Sequence, residues 1–243
     1  MNIIKLDAID STNTFLKQLC LEKEVDDYTI ITTKSQTHGK GQMGTKWQSE
    51  TDKNLIMSIL LKNTISNISF IFSLNIIITL SIVQSLQKLN IPNLAIKWPN
   101  DIMAGGKKIA GILIENSIKS SSTIDSVVGI GLNVNQITFE NLPQASSLRL
   151  EMNQEYDIAT ILESIISFVK LNMFAYKNGQ ITQLWHEYEQ NLFKKEKVSL
   201  FENANSERFM GIIKGVNSIG KIEILLDDDS VQYYGLKEIK MIF

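Results

Sequence analysis

The run Lys97-Trp98-Pro99-Asn100-Asp101, followed by Gly105-Gly106-Lys107-Lys108-Ile109-Ala110-Gly111-Ile112-Leu113-Ile114-Glu115, constrains this chain more than any other segment. A lysine, a tryptophan, a proline and two short polar side chains interrupt otherwise apolar sequence. Asn and Asp after a proline build their own local turns, so the tip is expected to be a fixed loop. Gly105-Gly106 reads as a hairpin turn, and Ile109 to Ile114 is apolar on both faces, as in a buried strand. Lys97 and Lys108 therefore fall at the ends of two adjacent buried strands. A cation held there needs an anionic partner, because burying it alone is expensive. A phosphate or carboxylate ligand supplies one; the plain alternative is a hairpin whose lysines point to water.

A second segment bears on ligand chemistry. Tyr28 to Thr33 is a β-branched strand, followed by Gln36-Thr37-His38-Gly39-Lys40-Gly41-Gln42-Met43-Gly44-Thr45-Lys46-Trp47. Gly39, Gly41 and Gly44 satisfy the dinucleotide fingerprint, but that fold needs a helix next. A polar loop and another strand, Asn54 to Leu61, follow instead, which removes the dinucleotide reading. A glycine-rich loop between strands reads better as a flap whose backbone approaches phosphate oxygens.

Earlier in the chain, Asp10-Ser11-Thr12-Asn13 precedes Phe15, Leu16 and Leu19 at helical spacing, so one of Asp10, Ser11 or Thr12 caps a helix. A helix start also offers free N–H groups and a positive dipole end to a polar ligand head. Val127 to Gln136 carries Gly129 and Gly131 within a strand, which marks close approach by a backbone or a ligand.

Taken together, Lys-Trp-Pro-Asn-Asp, Gly-Lys-Lys-Ile-Ala-Gly-Ile-Leu-Ile-Glu, the Ser-Thr-Asn start and the glycine-rich flap resemble the biotin protein ligases. Those enzymes activate biotin with ATP and attach it to a carrier-protein lysine. The resemblance runs from about Asp10 to the C-terminus. It implies an α+β fold: a mixed-sheet catalytic domain with packed helices, like the class II aminoacyl-tRNA synthetases, plus a small SH3-like β-barrel. It also implies Lys108 and Asp101 as catalytic residues. The biotin and adenylate contacts it implies are Ser11, Thr12, Asn13, Gln36, Gly39, Lys40, Gly41, Gln42, Trp47, Lys97, Asn100, Lys108, Gly111, Gly129, Gly131 and Asn133. Biotin and ATP are the implied substrates, with Mg²⁺ carried mainly by the ATP phosphates and Asp101 as its one candidate protein ligand. The flap departs in charge from many members: Gln42 stands where an arginine is common. A lipoate or octanoate ligase of the same fold, and a biotin-binding protein without turnover, are the alternatives.

Composition limits what else the chain does. At 243 residues it holds one large domain or a main domain with a small appendage. A net charge of −2 lacks the basic excess of a nucleic-acid surface. One cysteine, Cys20, excludes an intrachain disulfide, and two histidines give no zinc spacing. No signal peptide is legible, so a cytoplasmic location is expected. Ile65 to Leu89 reads as a core helix, since many Ser, Asn, Thr and Gln residues break any membrane-length apolar run. Ser117 to Ser126 reads as an exposed loop and Pro143 to Leu150 as another. Ile158 to Met173 and Ile181 to Leu192 read as helices, with His186 on the surface. Past Lys194, short strands at about ten-residue intervals signal a small β-barrel, with Asp227-Asp228-Asp229 as a hairpin turn. This gives a catalytic unit over 1–190 and a C-terminal unit over 191–243. The Ser-Thr-Asn motif at residue 11 leaves no room for the N-terminal DNA-binding domain of the repressor members. An enzyme without DNA or membrane contacts, monomeric or homodimeric, acting on a biotin carboxyl carrier domain, is the expectation.

Overall fold

A computed structural model describes residues 2–65, 71–120 and 123–242. Its main layer is a seven-stranded sheet in the order β1-β2-β3-β7-β6-β5-β4. The strands are β1 (Ile3–Ile9), β2 (Ile30–Gln36), β3 (Asn54–Ile65), β4 (Ala95–Lys97), β5 (Asp101–Ala104), β6 (Lys107–Ser120) and β7 (Thr123–Asn133). Only β1 and β2 run parallel; every other neighbouring pair is antiparallel.

Both faces of this sheet are covered. Helix α1 (Thr12–Glu22) lies on one, where Leu16 packs with Val25, Ile31, Leu60 and Val127. Helices α2 (Ile71–Gln87) and α4 (Ile158–Lys177) lie on the other, with α5 (Ile181–Gln190) against α2. Helix α2 is buried nearly all round, which explains its lack of a polar face. Its polar side chains find local partners: Thr79 donates to Asn75 O, Ser81 to Ile77 O, and Ser85 to Ser164 of α4. Helix α4 is long and apolar enough to cross a membrane, but its Ile161, Ile165, Val169 and Met173 are buried in the core it shares with α2.

Two extents differ from the sequence expectation. Residue 65 ends β3 rather than opening a helix; residues 66–70, the rest of that expected helix start, lie outside the described residues. Ser117 to Ser126 is not a loop: β6 reaches Ser120 and β7 begins at Thr123, paired through Ser117↔Asp125 and Ile118↔Ile124. Here the polarity does not follow burial: Ile118 is exposed while Ser126 is buried and bonded to Thr64 and Asn116, so the alternation that marks a strand is lost. The Gly105-Gly106 turn is as expected, with φ of 55° and 84°, a pair of positive values that two-residue hairpins require.

The C-terminal sheet, ordered β11-β10-β9-β8-β12, comprises β8 (Val198–Asn203), β9 (Arg208–Val216), β10 (Ile222–Leu225), β11 (Val231–Tyr234) and β12 (Ile239–Ile242). It is wholly antiparallel, the small barrel-like unit that the strand spacing signals, and it adds β12 to the strands legible beforehand. Phe201, Ile213, Ile222 and Ile224 join the same apolar cluster as the main sheet. Trp98 Nε1 donates to Gly220 O at 2.9 Å, tying the Lys97–Asp101 loop to this second sheet. That loop contains a cis Trp98–Pro99 peptide bond.

Candidate active site

Three elements converge on the α1 face of the main sheet. Helix α1 brings its start, the β2–β3 connection brings the glycine-rich flap, and the β5–β6 hairpin brings the lysine. They enclose a cavity of about 260 Å³.

Ser11 is the N-cap of α1, its hydroxyl accepting from Thr14 N. That leaves its own proton for another partner. Thr12 N donates to Gln36 Oε1 at 2.8 Å, which joins the helix start to the end of β2. Ser58, fully buried on β3, donates to Asn13 Oδ1 at 2.5 Å and lies 2.7 Å from Thr12 Oγ1. Behind them Glu115 accepts from Asn13 Nδ2 at 2.9 Å and from Lys17 Nζ at 2.7 Å. Burial pushes the Glu115 carboxyl up, but the Lys17 ammonium and the Asn13 amide together hold it below its ordinary value.

The flap is a small hairpin. Gly41 N donates to Thr45 O and Trp47 N to Gly39 O, around a single 3₁₀ turn at Gln42–Gly44. Met43 (φ 55°) and Gly44 (φ 82°) turn the chain back. Lys40 Nζ donates to Thr14 Oγ1 at 2.9 Å, fastening the flap to α1. The Trp47 ring lies flat on the sheet where Gly111 of β6 pairs with Gly131 of β7. A Cβ at Gly131 would collide with the indole, and one at Gly111 would come within 3.1 Å of it. A Cβ at Gly129 would lie 2.5 Å from Asn13 Oδ1. The two strand glycines thus make room for Asn13 and Trp47, rather than forming a bare floor.

Lys108 is aimed by an irregularity. Ile102 pairs with Ala110 while Met103 pairs with Lys108, so Ile109 is the extra residue of a β-bulge. Without it, Lys108 would share a face with Ala110 and Ile112; with it, Lys108 shares the cavity face with Gly111. Segment 144–146 holds the lysine backbone from the side: Lys108 N donates to Gln144 O at 2.7 Å and Ser146 N to Lys108 O at 2.9 Å. This segment therefore does more than connect, and a short helix α3 (Leu148–Met152), capped by Ser147, follows it directly. Lys108 Nζ lies 2.7 Å from Asp101 Oδ1 and 5.7 Å from the centre of the Trp47 ring.

Of the expected contacts, Ser11, Thr12, Asn13, Gln36, Lys40, Gly41, Gln42, Trp47, Asn100, Asp101, Lys108, Gly111, Gly129 and Gly131 line this cavity. Gly39, Lys97 and Asn133 do not. Gly39 lies at the base of the flap hairpin, where a Cβ would strike Trp47 O. Asn133 donates to Ser146 O at 2.9 Å, anchoring the segment that grips Lys108. Lys97 lines the neighbouring cleft toward the second sheet, with Asp101 and Lys240. Burial pushes its ammonium below the ordinary lysine range, Lys108 and Lys240 add to that, and Asp101 opposes it. Asn100 reaches the cavity wall, but its amide donates to Ile112 O at 2.6 Å. Ser58 and the role of Glu115 were not foreseen. A lone serine inside the apolar run of β3 is the signal that pointed to the first.

A biotin/lipoate A/B protein ligase family model matches residues 6–135. The bifunctional ligase/repressor BirA of Bacillus subtilis is 27% identical over 194 residues, 77% of this chain and 59% of that protein. The biotin–[acetyl-CoA-carboxylase] ligase of Mycobacterium tuberculosis is 30% identical over 141 residues, 57% of this chain and 51% of that protein. The chain thus spans less than two thirds of the length of these curated relatives. Among solved structures, the Aquifex aeolicus biotin protein ligase in complex with biotin and ATP superposes with a TM-score of 0.82 at 26% identity, covering 99% of this chain and 98% of that one. The matched model spans more than half of the chain, including the α1 start, the flap, Asp101 and Lys108, and the chain belongs to the biotin/lipoate A/B protein ligase family.

Proposed function

We propose that this chain is an ATP-dependent biotin protein ligase that forms biotinyl-5′-adenylate and passes biotin to a lysine of a biotin carboxyl carrier domain. The observation that carries this reading is the convergence of Lys108, the Lys40–Trp47 flap and the Ser11–Asn13 helix start on one cavity. The relatives named above support biotin over lipoate, and the Aquifex complex supports ATP as co-substrate. Residues 1–190 form the catalytic unit in this reading and 191–243 the C-terminal unit. ATP as substrate fits a cytoplasmic enzyme.

In the first step a biotin carboxylate oxygen attacks the α-phosphorus, and the bond to the β-phosphate oxygen breaks to release pyrophosphate. Two anions meet, and charge builds on the α-phosphate oxygens. The Lys108 ammonium has three donors and gives one to Asp101, so two remain for those oxygens. A fixed donor of this kind is worth on the order of 3 kcal/mol in the transition state. Lys40 supplies a second cation when the flap closes, and the Trp47 ring shields the anhydride from water. In the second step the neutral carrier amine attacks the acyl carbon, adenylate leaves, and the amine proton must be taken up. In this reading Asp101, the acid on the cavity wall, orients that amine or accepts its proton.

The donor set does not make a magnesium centre of its own. Among the described residues no three acidic, histidine or cysteine groups converge, and Asp101 is the one acid among those that line the cavity. Mg²⁺ accordingly enters with the nucleotide, and no step above is routed through it. Labelled biotin offered with a carrier domain, with and without ATP, tests the reading. Transfer only with ATP is expected; binding without transfer, or transfer of lipoate instead, overturns it.

A further inference from the structure

The direction of the Asn13 side-chain amide is fixed by Glu115 and Ser58, neither of which lines the cavity, together with the Leu113 carbonyl. Asn13 is buried, at 3% exposure, in the first turn of α1. One end of its amide faces the Glu115 carboxylate at 2.9 Å and the Leu113 carbonyl at 3.4 Å. Neither of those groups donates a hydrogen bond, so that end is the NH₂ and both its protons are committed. The other end is the oxygen, which takes the Ser58 proton at 2.5 Å. An amide oxygen accepts twice. The polar capacity Asn13 has left for a guest is therefore a single lone pair, never an N–H.

We propose that Glu115 is a positioning residue: it locks the Asn13 amide so that this point of the cavity accepts only from a ligand N–H donor. Resting on the biotin reading above, this assigns Asn13 to an N–H of the cyclic urea and makes Glu115 a determinant of specificity without touching the guest. Lys17, 2.7 Å away on the same helix, holds Glu115 as a carboxylate. Gly129 belongs to the same device, because any side chain there would displace the amide oxygen.

Glu115→Gln tests this. A glutamine at 115 bonds Asn13 in either direction, which leaves only the long contact to the Leu113 carbonyl, at 3.4 Å, to orient the amide. Biotin-dependent pyrophosphate exchange is measured with biotin and with the two cyclic carbamate analogues in which one or the other ureido N–H is replaced by oxygen. A site built around an N–H rejects an analogue lacking it by several powers of ten. The wild type should strongly reject one of the two analogues. In Glu115→Gln the KM for biotin should rise about tenfold, with kcat changed less than about threefold, and discrimination should fall at least about tenfold. The double variant Asn13→Asp with Glu115→Gln should regain discrimination, since a glutamine N–H then fixes an aspartate whose second oxygen still accepts. Unchanged KM and discrimination in folded Glu115→Gln, or a double variant no better than the singles, overturns the proposal. If Glu115→Gln does not fold, Lys17→Met decides: a biotin KM raised about threefold is expected, and no change overturns the proposal. A wild type that does not activate biotin overturns the functional reading and this assignment with it; an active wild type isolates the assignment.

Discussion

The Lys108 ammonium and the Asp101 carboxylate meet at 2.7 Å across the β5–β6 hairpin, on the wall of the cavity. Both are partly exposed, at 36% and 20% of the side chain, so the pair adds little to stability. Its consequence is orientation. The carboxylate holds the lysine tip beside Gly111, next to the Trp47 ring that covers the Gly111–Gly131 step.

Lys108→Ala should therefore lower biotin-dependent pyrophosphate exchange at least about 100-fold, since a positioned charge donor is lost from the transition state. The melting temperature should move by only a few degrees, in keeping with a partly exposed ion pair. Calorimetric melting alongside the exchange assay separates the two effects. Near-normal exchange in a folded variant would contradict the role.

Gly131→Ala places a methyl group where the Trp47 indole lies. Overpacking of this kind costs about 1–3 kcal/mol unless the ring moves, and a displaced ring uncovers the cavity. Weaker biotin binding by titration calorimetry is the expected result. Trp47→Phe in the same chain, which reduces the bicyclic indole to a single ring, should recover part of the loss.

Gln42 lies between the cavity and the neighbouring cleft and lines both. A neutral amide there donates hydrogen bonds without offsetting phosphate charge. Gln42→Arg should slow release of the adenylate in a chase experiment by about tenfold, the size of one added charge-assisted contact. Unchanged release would remove the argument.

Glu115 also predicts an acid limit. Its folded-state carboxyl titrates below the ordinary value of 4.5, so its contribution to stability is complete above that value and is lost as pH falls through the lower one. Melting temperatures of the wild type and Glu115→Gln should differ near neutrality and converge in acid. A constant difference across that range would show that the carboxylate charge is not responsible.

How much of this was legible depends on how local the determinants are. The structure picks Ser11 among the three candidate caps, while the helix start within Asp10–Thr12, the Gly105-Gly106 turn and the Asp227–Asp229 turn each arise from a few neighbouring residues and read from sequence. The bulge at Ile109 does not. Ile109 to Ile114 is apolar on both faces, so nothing in the pattern marks where one extra residue enters, although that residue turns Lys108 toward the cavity. Ile65 ends β3 although it reads as the start of the following helix, because a lone apolar residue between Lys62-Asn63-Thr64 and Ser66-Asn67 carries no periodicity of its own. The residue types of Asn133 and Asn100 do not reveal that their NH₂ groups donate to Ser146 O and Ile112 O, bonds made only in the folded sheet. Glu115 and Asn13 are 102 positions apart, and only the folded sheet brings them together.

The central claim, that one cavity on the α1 face activates biotin with ATP, is tested most directly by following labelled biotin onto a carrier domain in the wild type and in Lys108→Ala. The account predicts ATP-dependent labelling of a single carrier lysine by the wild type and at least about 100-fold slower labelling by the variant. ATP-independent retention of biotin, or equal labelling by both proteins, would contradict it.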